Sequence, residues 1–156
     1  MKKLLTTLAI LATITTFSQD KRFTFGIYTE PNAIVKDGFN IGAEIEYQMH
    51  LMYFKAGVYT FPNLNNVGYT QLYGVPLGFN FHSKFDEWRY FAGLQLGVNY
   101  REGNPNPIAG PETGIERYFG NFFIGLQGNY LRRSDAEFYG GNDWVFNGQV
   151  KVGVSW

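Results

Sequence analysis

Residues 89–101 read Arg-Tyr-Phe-Ala-Gly-Leu-Gln-Leu-Gly-Val-Asn-Tyr-Arg, and no other stretch narrows the choice of fold so far. Tyr90, Ala92, Leu94, Leu96, Val98 and Tyr100 form one set of alternate residues. Arg89, Phe91, Gly93, Gln95, Gly97, Asn99 and Arg101 form the other. Side chains alternate across a β-strand, so the two sets face opposite ways. The first set is apolar from end to end and closes on a tyrosine at each end, which suits lipid with the rings at headgroup level. The second is small or polar through its middle, where a strand of a soluble sandwich would carry large charged residues. Gly, Gln and Asn suit a narrow, crowded lumen instead. The pattern predicts a strand that crosses a membrane within a closed barrel.

The same alternation recurs along the chain. Strands are expected over residues 21–29, 39–49, 51–61, 70–81, 89–101, 112–118, 121–133 and 145–156. Phe23, Phe25 and Ile27 oppose Arg22, Thr24, Gly26 and Tyr28. Phe39, Ile41, Ala43, Ile45 and Tyr47 oppose Asn40, Gly42, Glu44, Glu46 and Gln48. Met52, Phe54, Ala56 and Val58 oppose Tyr53, Lys55, Gly57 and Tyr59. In the fourth strand Gln71, Tyr73, Val75, Leu77, Phe79 and Phe81 are assigned one face, with a bulge or kink expected at Pro76, which cannot donate to the ladder. In the sixth, Arg117 shares the outward set with Thr113 and Ile115, tolerable near the interface where its long stem can snorkel. In the last, Phe146, Val150, Val152, Val154 and Trp156 oppose Asn147, Gln149, Lys151, Gly153 and Ser155.

The count of strands is even, and the gaps alternate. Residues 30–38, 62–69, 102–111 and 134–144 read as long loops rich in Pro, Gly and Asn, while the turns near His50, at 82–87 and around Gly120 are short. Outer-membrane barrels show this asymmetry, with short periplasmic turns and longer outer loops. Both termini are then expected on the periplasmic side. A soluble eight-stranded barrel of the lipocalin type can share the meander, but its apolar face is the interior.

With 156 residues the chain has length for one domain. Aromatics are 19% of residues beside 19 glycines, a joint excess that suits many strands and aromatic girdles. There is no cysteine, which excludes disulfides, thiol catalysis and a lipid-modified cysteine. Thirteen Lys+Arg balance thirteen Asp+Glu, with no basic stripe for nucleic acid. Lys2 and Lys3 followed by the mostly apolar residues 4–17 read as a signal peptide, too short to span a bilayer as a helix. Thr16 and Ser18 place cleavage after Ser18, so the expected division is a leader over 1–18 and a barrel over 19–156. The alternative is a buried N-terminal helix. Removing the two lysines leaves 11 cations against 13 acids, a net charge of −2. No later stretch has the ~20 continuous apolar residues of a membrane helix, so an exported membrane form must cross as strands.

On these features the chain resembles the small eight-stranded outer-membrane barrels of the OmpA/OmpX kind, and looks most similar to the porin-like barrel proteins common in Bacteroidota. The resemblance covers the whole chain after the leader. It rests on the leader ending Phe17-Ser18-Gln19, the girdled strands, the segment Gly74-Val75-Pro76-Leu77, and the ending Val150-Lys151-Val152-Gly153-Val154-Ser155-Trp156. It implies an all-β, eight-stranded antiparallel up-and-down transmembrane β-barrel in the outer membrane. It implies that Trp156, closing an alternating last strand, belongs to the signal read by the barrel-assembly machinery. It implies no catalytic residue and no cofactor. With the last strand closing on Trp156, the chain is expected to lack the peptidoglycan-binding domain of the OmpA type.

The lumen set contains Arg22, Glu44, Glu46, Lys55, Arg89, Arg101, Glu112, Glu116 and Lys151. Buried charges must pair and hydrogen-bond or cost several kcal/mol each. Glu44 or Glu46 is expected to reach Lys55 from the neighbouring strand, Glu116 to approach Arg89, and Lys151 to lie near Arg22 across the closing seam. A structural ion network is one reading and a proton or ion path the other; eight strands leave room only for side chains, which disfavours a pore. Catalysis needs a nucleophile with a base in reach, and His50 and His82 fall in turns expected far from Ser134. Asp135, Glu137 and Asp143 match no metal-loop spacing. Phe138, Tyr139 and Trp144 in the last long loop are candidate contacts for an extracellular partner, since exposed aromatics anchor interfaces; capping the barrel or lying at the membrane surface are their other uses. Expected partners are outer-membrane lipid, the assembly machinery, and an unidentified extracellular partner. The leading reading is a non-enzymatic outer-membrane barrel with a structural or surface-interaction role; a narrow channel and a lipid-active enzyme are the alternatives.

Overall fold

A computed structural model describes residues 22–32, 34, 38–62, 68–83, 87–135 and 143–156. The expected leader and Phe138, Tyr139 and Glu137 lie outside them. Eight strands run β1 (Arg22–Thr29), β2 (Ile41–Gln48), β3 (Met52–Phe61), β4 (Tyr69–His82), β5 (Trp88–Arg101), β6 (Asn104–Phe119), β7 (Phe122–Arg133) and β8 (Trp144–Ser155). Each pairs antiparallel with its sequence neighbour, and β1 closes on β8, from Thr24 opposite Ser155 to Thr29 opposite Val150. Phe23 and Trp156 extend this seam by exchanging two backbone hydrogen bonds of 3.0 Å. The strand ends gather into a turn end, with the β2–β3, β4–β5 and β6–β7 connections, and a loop end opposite it.

The barrel is inside out. Phe23, Ile45, Leu72, Phe79, Leu94, Leu126 and Val154 stand exposed on its wall, while Glu46, Arg89, Gln95, Asn99, Glu116 and Lys151 are buried in the lumen. A soluble monomer exposes apolar patches of a few hundred Å² at most; an apolar wall around every strand is a lipid-facing surface. The protein is an eight-stranded up-and-down transmembrane β-barrel. Among the described residues no helix is long and apolar enough to cross a membrane.

The joint excess of glycine and aromatics has one geometric use in the lumen. Tyr28 lies directly opposite Gly42, Tyr53 opposite Gly78, Tyr73 opposite Gly57, Phe91 opposite Gly114 and Phe123 opposite Gly153. A Cβ on these glycines would meet the partner ring at 2.1, 2.0, 2.5, 2.4 and 2.5 Å respectively. Each ring therefore lies flat across a bare backbone, which lets large side chains fill a narrow barrel.

Two elements differ from the sequence expectation. Residues 102–111 are not a loop. Glu102 (φ 51°) and Gly103 (φ 79°) make a two-residue turn, and β6 starts at Asn104 and runs through Pro105, Pro107 and Pro111. Two positive φ values are the geometry of a tight primed hairpin. The prolines are tolerated because of where their absent N–H groups would point. The Pro107 carbonyl accepts from Ser134 N at 3.4 Å, so this residue's backbone polar groups face β7, and the other two prolines share its parity. On that side the ladder skips Gly110 and Pro111 and ends at Ile108, while pairing with β5 is unbroken from Asn104 to Arg117. The expected long fifth gap is thus short.

The second difference is in β4. A bulge falls at the expected proline: Lys55 faces Val75 but Tyr53 faces Gly78, and Gly74 faces Leu96 but Gly78 faces Gly93. One extra residue in β4 switches the alternation, and Pro76 and Leu77 both face out. Gln71, Tyr73 and Val75, assigned to the face of Leu77, Phe79 and Phe81, are instead buried in the lumen.

Candidate functional site

The middle of the lumen holds a lattice of seven charged side chains, all buried. Lys55, projecting from β3, sets its Nζ 2.8 Å from Glu112 Oε1, 3.7 Å from Glu44 Oε2 and 3.8 Å from Glu46 Oε2. Arg89, from β5, spans two carboxylates, with Nη1 2.7 Å from Glu116 Oε2 and Nη2 2.7 Å from Glu46 Oε1. Lys151, from β8, lies 2.7 Å from Glu44 Oε1 and against Glu116. Neutral donors complete the carboxylates: Tyr53 donates to Glu112 (2.6 Å), Tyr73 to Glu44 (2.9 Å), Tyr118 to Glu116 (2.8 Å) and Gln127 to Glu112 (3.2 Å). At the centre Phe91 presents its ring to all three cations, with Arg89, Lys55 and Lys151 at 4.6, 4.7 and 4.9 Å from the centroid.

Local sequence explains how these groups fit. Glu44 and Glu46 are two apart on β2 and so share the inward face. Glu112 and Glu116, four apart on β6, share the inward face in the same way. Glycines give the stems room: a Cβ at Gly26 would meet Lys151 Cδ at 3.2 Å, and one at Gly125 would meet Glu116 Cγ at 2.8 Å. Asn80 fixes Arg89 from the turn end, accepting from its Nε at 2.7 Å while donating to the Met49 and Met52 carbonyls.

Of the residues expected in the lumen network, Glu44, Glu46, Lys55, Arg89, Glu112, Glu116 and Lys151 meet in this lattice. Arg22 and Arg101 do not. Lys151 is opposite Tyr28, whereas Arg22 is opposite Gln48 and lies over the Tyr118 ring at the turn end (5.4 Å). The expected Lys151–Arg22 proximity is therefore corrected; it assumed that the seam aligns residues by strand order, when register sets their height. Arg101 belongs to a separate group at the loop end. There Arg133 holds Asp135 through Nε at 3.0 Å and Nη2 at 3.1 Å, Asn99 donates to the same carboxylate at 2.8 Å, and Arg101 Nε stands 3.4 Å away. Both arginines lie over the Tyr69 ring, at 5.1 and 4.9 Å. Asp135 is thus committed to arginines.

Between the lattice and this cap the lumen is filled by Tyr28, Tyr59, Phe61 and Tyr73 on one side. On the other a short amide chain runs Asn147 to Asn129 (3.0 Å) and Asn129 to Gln95 (3.2 Å). Sequence reasoning missed Tyr53, Tyr73, Asn80, Gln127 and Arg133. Tyr53 and Gln127 share the inward parity of recognised lumen residues, which was the available signal; Tyr73 was hidden by the bulge.

His50 and His82 stack on each other at 6.4 Å at the turn end, and Ser134 follows β7 at the loop end. Among the described residues no cluster of three metal-ligating side chains occurs. Trp144 stacks on Tyr130 at 5.0 Å on the outer wall, and Trp156 stands exposed beside Phe23, ring centroids 6.5 Å apart.

No family model matches the chain, and no curated protein matches it. Solved structures do. The fold is similar to Neisserial surface protein A, with a TM-score of 0.55 at 11% identity over 86% of this chain and 92% of that one. It is similar also to the N-terminal β-barrel domain of Pseudomonas aeruginosa OprF, with a TM-score of 0.54 at 17% identity over 89% of this chain and 99% of that domain. The fold that this chain shares is that of small outer-membrane barrels.

Proposed function

We propose that the protein is a non-enzymatic integral outer-membrane barrel, exported through the leader over residues 1–18, whose closed lumen is structural and whose loop end makes its contacts outside the cell. The observation that carries this reading is the filled lumen. From Tyr118 and Asn80 at the turn end, through the lattice around Phe91, to the Arg133–Asp135 cap, buried side chains occupy each level. Seven charges locked to one another and to tyrosines form a rigid filling, whereas a conducting path needs side chains free to exchange water. The apolar wall and aromatic girdle support the membrane location, with Trp156 as part of the assembly signal. Trp144, with Phe138 and Tyr139 beside it in the chain, is the contact proposed for a partner.

The test is reconstitution into planar bilayers. The expected result is silence; discrete conductance steps would overturn the closed lumen. Cell fractionation should recover the protein in outer membranes with heat-modifiable gel mobility, and recovery as a soluble periplasmic protein would sink the membrane reading.

A further inference from the structure

Of the outward positions on the eight strands, two carry charge, Arg117 on β6 and Arg132 on β7. Arg117 is opposite Ile124 on β7. Arg132 is eight residues further along that strand, about 26 Å by the rise of an extended chain. The outward residues between are Ile124, Leu126, Gly128 and Tyr130, so the two arginines stand at opposite ends of the apolar wall. Their surroundings differ. Arg117 is exposed at the turn end, with its guanidinium over the Trp88 ring at 5.2 Å and the Phe119 ring at 5.0 Å. Arg132 is exposed at the loop end, and among the described residues no ring lies against it. No carboxylate among the described residues pairs with either.

The setting of Arg117 says what its donors meet. Trp88 is directly opposite it on β5, and Phe119 follows two residues on along the outward face of β6. A tryptophan at the end of the wall marks headgroup depth. The ring contacts take up the faces of the guanidinium. Its five N–H groups lie in the plane as a fixed fork, and among the described residues no acceptor takes them. A phosphate accepts such a fork in bidentate fashion. We propose that Arg117, held by Trp88 and Phe119, binds the phosphate of a phospholipid in the leaflet at the turn end. With no carboxylate paired to the arginine, nothing there holds an ammonium, so a head of net negative charge binds in preference to a zwitterionic one. The rings order the Arg117 side chain before the lipid arrives, whereas Arg132 has to be ordered by the lipid itself and holds it more weakly.

This inference rests on the membrane placement proposed above, so insertion is read separately by heat-modifiable mobility. The inserted protein is released from bilayers of equimolar phosphatidylglycerol and phosphatidylcholine, and its retained lipid is measured by native mass spectrometry. Phosphatidylglycerol should be enriched. Arg117→Gln should lower its retention by up to about fivefold, the worth of one exposed ion pair. Arg117→Lys keeps the charge without the fork and should fall between that variant and the wild type. Arg132→Gln removes the same charge from the other end of the wall and should lower retention less than Arg117→Gln does. A loss as large in Arg132→Gln would mean attraction by net charge alone and overturn the site, as would retention unchanged in both Arg117 variants. Release of the lipid by soluble glycerol phosphate at equal concentration would assign Arg117 to a free phosphate ester and overturn the lipid.

Discussion

The lattice makes an asymmetric prediction about two residues in contact. Ionised throughout, its seven groups are the four acids Glu44, Glu46, Glu112 and Glu116 against the three cations Lys55, Arg89 and Lys151. Arg89→Leu removes the guanidinium that sits 2.7 Å from both Glu46 and Glu116 and donates to Asn80 at 2.7 Å. Two buried carboxylates then face two remaining cations shared with two further acids. Stranding a buried charge in this way costs about 3–5 kcal/mol. Glu46→Gln acts on the other partner. Its ionic contacts are Arg89 and, at 3.8 Å, Lys55, and no tyrosine donates to it. Neutralising it leaves three acids against three cations, so the cost should be below about 1 kcal/mol, the net worth of an ordinary hydrogen bond. In the double mutant one of the two stranded carboxylates is gone. The double should therefore be less destabilised than the sum of the singles, by about 1–3 kcal/mol. Reversible urea unfolding of the refolded barrel in lipid vesicles measures all three. If Glu46→Gln cost as much as Arg89→Leu, or if the two were additive, the lattice would not be the coupled network described.

Three further outcomes follow from the faces and contacts. Leu94→Arg puts a cation on the lipid wall and should cost about 2–4 kcal/mol in bilayers, whereas Gln95→Leu removes one acceptor from Asn129 and should cost about 1 kcal/mol; the reverse order in vesicle unfolding would mean inverted faces. Gly78→Ala drives a Cβ to 2.0 Å from the buried Tyr53 ring and should destabilise by about 1–3 kcal/mol, while Gly148→Ala, whose Cβ would meet Phe146 at 3.6 Å, should be close to neutral in the same assay. Trp156→Arg removes the ring beside Phe23 on the closing seam and should reduce the yield of heat-modifiable barrel in cells; wild-type yield would remove its assembly role.

What the sequence determined by itself is what depends on one strand at a time. Alternation is a property of the pleat, so Leu94 and Gln95, or Val152 and Lys151, separate onto two faces before any partner is known, and eight such stretches with no long apolar run leave a membrane barrel as the consistent fold. The tertiary structure decided what depends on neighbours. Three prolines between residues 102 and 111 read as a loop, and only the identity of the strand on each side reveals that their missing N–H groups would face β7 and not β5. Pro76 announced a bulge, but the direction of the switch that turns Tyr73 into the lumen required the registers of β3 and β5. Nine charged residues were legible as inward-facing; that seven of them meet around Phe91, while Arg22 lies over Tyr118 and Arg101 joins Arg133 at the loop end, was set by the height at which each strand pairs. Inward parity is local, whereas depth along the barrel axis is a sum over every register around the ring, and no single strand carries it.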